Sequence, residues 1–177
     1  WALNTLMVVI GMIGFMAVFA YLYLYGINPE VWSAPPPLGE TAIIVGIEAA
    51  ALLAAWGGRR FLASKEGRLA EDLPWMLEAL AATLLVGALY LDVTGWLATG
   101  LEPTANGMGA TVFMLSVLQG QVVVVAVIMA TYLAFREARG IMTTPTNVTM
   151  DIVARFIMFC ALQGMVFTFL PRVFPGV

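Results

Sequence analysis

Glu48 sits ten residues into a stretch that is otherwise uncharged after Glu40 and apolar in character, Leu38 to Gly58. A carboxyl at such a position must be neutralised or paired. Two chemistries fit it. Glu48 either accepts a proton or contacts a partner subunit, or it is a neutral carboxyl hydrogen-bonded to a neighbouring helix, which asks less of the rest of the chain. Gln119, Gln121 and Gln163 also fall near the middle of apolar runs. Amides there bridge helices, at about 0.6 to 2 kcal/mol each. Gln119 and Gln121 are two apart, roughly 200° around a helix, so one is expected inside the bundle and the other toward a partner. Asp92, near the end of its run, is expected to cap a helix or touch water. Asp151 and Arg155, spaced four apart, are expected to form a solvated surface pair.

The residue types also exclude chemistry. Histidine is absent and the single cysteine is Cys160. This removes the usual haem ligands, imidazole clusters for copper or iron, and any internal disulfide. No apolar run holds a lysine, so Ser and Thr lack a base and no nucleophile–base pair is expected. The eleven methionines read as adaptable packing residues. A net charge of −3 argues against a nucleic-acid partner.

The elements that hold these residues follow from composition. Of 177 residues, 62% are hydrophobic and 11% charged. Soluble domains carry about a quarter charged residues. One water-soluble core cannot hide this much apolar side chain, so lipid is the expected solvent. A backbone in lipid must satisfy its own hydrogen bonds, so each long apolar run is predicted to be a helix. The expectation is an all-α integral membrane bundle, one domain over 1–177, with spans at about 3–25, 38–58, 74–97, 108–135 and 150–170. The first span lacks the basic flank and cleavage site of a removable leader.

Seven of the eight basic residues, namely Arg59, Arg60, Lys65, Arg68, Arg136, Arg139 and Arg155, fall on one predicted side, and Arg172 alone on the other. The positive-inside rule then puts the N-terminus in the cytoplasm and the C-terminus outside. Asn147-Val148-Thr149 matches a glycosylation sequon but lies on the predicted cytoplasmic side. Gly11, Gly14, Gly107 and Gly109 are expected to let helices approach closely.

Short motifs in order along the chain give a further expectation. Phe19-Ala20-Tyr21-Leu22-Tyr23 is followed by Trp32 and Pro35-Pro36-Pro37. Then come Ala55-Trp56-Gly57-Gly58-Arg59, Leu85-Val86-Gly87 with Asp92-Val93-Thr94-Gly95-Trp96, Asn106-Gly107-Met108-Gly109-Ala110-Thr111-Val112-Phe113, and Gln119-Gly120-Gln121-Val122-Val123. In this order and spacing the chain resembles subunit III of the haem–copper oxidases, in the five-helix form that includes the accessory subunit of nitric oxide reductases. The resemblance covers essentially the whole chain. It implies a non-catalytic subunit in a bacterial-type plasma (inner) membrane, supporting assembly of a larger haem-bearing catalytic subunit. Haem and copper or iron would reside in that partner, none in this chain, and phospholipids would fill its grooves. An accessory subunit of a nitric oxide reductase is the alternative, and a small membrane transporter a more distant one.

The chain departs from the family where the family is ionisable. The acid that many relatives carry in the first of these spans falls at Met12. The histidines of span four fall at Gln119 and Val122, and a Trp-His-Phe-x-Asp motif falls on Ile157-Met158-Phe159-Cys160-Ala161. Met12 and Glu48 have similar predicted depths, so the acid is expected to have moved from one helix to its neighbour and to face Met12.

Overall fold

The computed structural model describes residues 1–32, 34–63, 69–104, 106–139 and 147–174. Five α-helices are formed among them: α1 (Ala2–Ile27), α2 (Leu38–Ala63), α3 (Leu69–Ala98), α4 (Gly107–Ala138) and α5 (Asn147–Val173). Each contains a segment long and apolar enough to cross a bilayer, so the protein is an all-helical, multi-pass membrane protein. Lys65 and Arg68, two of the basic residues that set the expected orientation, lie outside the described residues.

The helices run past the apolar segments because helical hydrogen bonding does not stop where lipid stops. Arg59 and Arg60 continue α2, and Arg136 continues α4. Two prolines lie inside helices. Pro74 removes one backbone bond near the start of α3, and Pro171 does the same in the last turn of α5. The α5 ladder survives Pro171, because the Phe174 N–H still donates to the Leu170 carbonyl at 3.2 Å. Arg172 is therefore a helical residue and not a loop charge.

α5 is the central helix and touches all four others. α2 and α3 form an antiparallel pair against it, and α4 closes the other side. α1 lies outside, packed on α4 and α5 through Gly14, Ala17 and Tyr21. At mid-height the bundle is filled by Ala51, Ala55, Ala81, Ala82, Leu85, Val123, Ala126, Phe156 and Ile157. Alanine on three facing helices lets the backbones close together, which is how packing without a hydrophobic drive succeeds in lipid.

Two ends of the bundle are distinguished by their residues. At the Asp151 end, Arg59 of α2 donates to the Asp151 carboxylate at 2.5 Å, and Arg155 pairs with the same carboxylate at 2.6 Å. The expected Asp151–Arg155 surface pair is thus a half-exposed three-residue clamp between α2 and α5. At the Tyr21 end, Trp32 donates to the Tyr21 hydroxyl at 3.0 Å, and that hydroxyl donates to the Pro171 carbonyl at 3.2 Å. The loop after α1 is thereby fastened to the end of α5.

Two glycines behave differently from expectation. Gly109 makes room for the Glu102 carbonyl of the preceding loop, not for a neighbouring helix. Its N–H is capped by the Asn106 side chain at 2.8 Å, so the requirement there is a tight helix start. Gly107 has only Leu24 nearby, at 4.0 Å from an added Cβ. Gly14 does serve a helix contact: an added Cβ would lie 3.0 Å from the Phe167 ring of α5.

Candidate functional site

Helical spacing stacks a set of polar residues in the upper half of the bundle, toward the Tyr21 end. On α2, Glu40, Ile44 and Glu48 recur every four residues, so they share one face. Asp92 and Trp96 do the same on α3, and Gly164, Thr168 and Arg172 on α5. α4 contributes Ser116 and Gln119. Counting about 1.5 Å per residue, Glu48 lies roughly 15 Å below the start of α2 and Asp92 roughly 9 Å below the end of α3.

The highest layer is an ion pair. Arg172 Nη1 lies 2.7 Å from Asp92 Oδ1, with no exposure of the arginine side chain. The guanidinium lies over the Trp96 ring, 5.3 Å from its centroid. Ser116 donates to Asp92 Oδ2 at 3.3 Å. Asp92, expected to cap a helix or touch water, is instead buried between three helices. A carboxylate at that depth needs a cation, and the helical continuation through Pro171 supplies one.

The lower layer is built around Gly164. Glu48 is 3% exposed, and Thr168 donates to its Oε1 at 3.5 Å. Gln119 Nε2 donates to the Cys160 carbonyl at 2.9 Å and lies 2.8 Å from where a side chain at 164 would begin. Glu48 Oε1 approaches the same point more closely still. Only glycine leaves space for both groups. Glu48 Oε2 and Gln119 Oε1 are buried and have no hydrogen-bond partner among the described residues.

The two layers also correct the expectation for Glu48. Its carboxyl meets α5, as a hydrogen-bonded acid should, but it does not face Met12. α1 is packed on the far side of α4 and α5, and Met12 is turned outward with 65% exposure. Gln119 is buried and Gln121 exposed, the division that their 200° separation implies. Gln163 is half-buried beside Gly14 and lines, with Gln121, Ile10, Ile13, Leu118 and Val125, a groove of about 140 Å³ between α1 and α4.

Two buried ionisable residues, one in this site and one outside it, escape a reading of the sequence. Arg172 follows a proline that signals the end of a helix. Glu78 lies only four residues past Pro74, where an acid looks like an interfacial one. In the structure Glu78 is fully buried and neither carboxyl oxygen has a hydrogen-bond partner among the described residues. The buried Trp75 indole N–H beside it is equally unpartnered there. Glu78 packs over Gly58 near the Asp151 end, with its Cγ 3.7 Å from an added Cβ at 58.

Between Glu48 and Glu78 lies the alanine-rich layer, with Ala51, Ala55, Ala81, Leu85, Ile157 and Cys160 all closed to solvent. The Cys160 thiol points at the Val122 carbonyl, 3.7 Å away. The polar site is therefore closed toward the Asp151 end by this layer. Among the described residues, no three of His, Cys, Asp and Glu converge as a group that could hold a metal ion. Comparison with protein-family models, curated proteins and solved structures finds no match to this chain.

Proposed function

We propose that this chain is a non-catalytic, subunit III-like subunit of a respiratory haem–copper oxidase, supporting assembly and stability of a larger haem-bearing catalytic subunit. The observation that carries the reading is the ordered series of motifs from Phe19 to Val123, spread over four of the five helices. The packing of the chain supports it. Asp92, Glu48 and Gln119 each make an interhelical contact, and an apolar layer lies between the two ends of the bundle. A layer of that kind suits a packing subunit better than a solute carrier, whose binding site opens to both sides in turn. α1 turns Val8, Met12, Phe15, Met16 and Phe19 outward, an apolar face suited to lipid or to a partner helix. The groove beside Gln121 suits a phospholipid acyl chain.

In this reading the Asp151 end faces the cytoplasm and the Tyr21 end the outside of a plasma (inner) membrane, following the basic residues. The same surfaces would serve an accessory subunit of a nitric oxide reductase, and the choice between the two lies in the partner's metal content. Extraction in a mild detergent tests the proposal. A larger membrane protein with a haem absorption spectrum is expected to accompany the chain. Recovery of a haem-free homo-oligomer that moves a solute across vesicles would overturn it.

A further inference from the structure

The polar site contains two carboxyls, Glu48 and Asp92, and one guanidinium, Arg172. Asp92 holds Arg172 in an ion pair at 2.7 Å, so Glu48 is the carboxyl left over. It is buried, its Oε1 receives only the Thr168 hydroxyl at 3.5 Å, and its Oε2 has no partner among the described residues. Gln119 crowds the same space over Gly164 with its Oε1 also unpartnered. One unit of negative charge is thus uncompensated inside the bundle, beside the Gln119 side chain, whose amide oxygen has no hydrogen-bond partner among the described residues. An uncompensated charge in lipid costs far more than a neutral acid.

The groups around the site account for its charge from every side. α2 offers Glu40 and Glu48, α3 Asp92, and α5 Arg172 and Cys160. α4 faces it with the uncharged Ser116 and Gln119. From α1, Tyr21 reaches the Pro171 carbonyl next to Arg172. None of these supplies a second cation.

A cleft of about 430 Å³ opens between α2 and α3, lined by Glu40, Ile43, Ile44, Leu91, Thr94 and Gly95. An added Cβ at Gly95 would lie 3.2 Å from Arg172 Nη2 and 3.5 Å from Glu40 Oε2. The missing side chain leaves the exposed Glu40 carboxylate and the buried guanidinium near one another through a window. Toward the Asp151 end, the alanine-rich layer seals the site.

We propose that the Glu48–Asp92–Arg172 cluster is a binding site for one proton, exchanged with water only at the Glu40 end of the bundle. Binding converts the Glu48 carboxylate to a carboxylic acid whose O–H donates to Gln119, and the cluster becomes neutral. Release leaves it with one negative charge. No redox partner or further reactant enters the step. The inference does not depend on which larger protein accompanies the chain.

Infrared spectroscopy of the full chain in lipid vesicles of known insertion direction tests it. Glu78→Gln serves as the background, to remove the other buried carboxyl. At neutral pH one protonated-carboxyl band per chain is expected, shifted in heavy water, lost in Glu48→Gln and kept in Glu40→Gln. The band should disappear when the Glu40 side alone is made alkaline. Circular dichroism of each variant checks that the helices are intact. No such band, a band that survives Glu48→Gln in a folded chain, or a response to alkali on the Asp151 side or on neither side would overturn the proposal.

Discussion

Arg172 and Asp92, eighty residues apart in the chain, meet as a buried ion pair at 2.7 Å, with the Trp96 ring under the guanidinium. The pair ties the last turn of α5 to α3 at the level where the bundle meets the Tyr21-end surface. Removing one partner leaves the other charge uncompensated, a loss of about 3 to 5 kcal/mol for buried pairs. Arg172→Met and Asp92→Leu are each expected to lower the melting temperature in detergent and the yield of folded chain. The double variant should recover most of that loss. A double variant whose loss equals the sum of the two single losses would show that the residues act separately.

Gly164 carries the second expectation. Even a methyl group there would collide with Glu48 and Gln119. Gly164→Ala should cost about 1 to 3 kcal/mol, the usual range for overpacking. Gly120→Ala should be nearly neutral, since the nearest atom, on Leu89, is 3.6 Å from the added Cβ. Thermal unfolding of the two variants side by side distinguishes them, and equal stability would contradict the crowding at Gly164.

Glu48→Gln keeps a polar group that can still accept from Thr168. It is expected to unfold within about 1 kcal/mol of wild type, whereas Glu48→Leu leaves Gln119 and Thr168 facing an apolar side chain and should lose about 1 to 3 kcal/mol. A leucine variant as stable as wild type would mean that Thr168 and Gln119 find other partners.

The Arg59–Asp151–Arg155 clamp is half-exposed, with side-chain exposures of 41%, 31% and 42%. Solvent and salt screen such pairs, so Asp151→Asn should cost only about 0 to 1 kcal/mol, and the difference from wild type should shrink as salt rises. Melting curves at low and high salt measure this. A salt-independent loss as large as that of Asp92→Leu would place Asp151 in a drier setting than its exposure indicates.

Five spans could be read from hydropathy because lipid demands them, and the depth of Glu48 followed from its distance along α2. Depth, however, is a coordinate along one helix. It does not say which helix stands beside it. Glu48 and Met12 share a depth, yet α5 and not α1 is the neighbour of Glu48, because helix order around the bundle is set by side-chain fit among all five. Asp92 looked interfacial for a similar reason. Its partner lay beyond Pro171, a residue that ends many helices but here costs one hydrogen bond in a last turn. Gln119 and Gln121 were separable because two residues of one helix have a fixed angle between them. That angle needs no knowledge of tertiary packing.

The central position of α5 has a consequence for biogenesis. α2 and α3 leave the ribosome with Glu48 and Asp92 aboard, but Arg172, the cation that pairs with Asp92 in the finished bundle, belongs to α5. Until α5 arrives, Asp92 lacks the Arg172 guanidinium that it pairs with in the finished bundle. Translation order and charge compensation therefore run in opposite directions. The turn carrying Pro171 and Arg172 follows the four other helices in the chain, and it is the one that completes this ion pair.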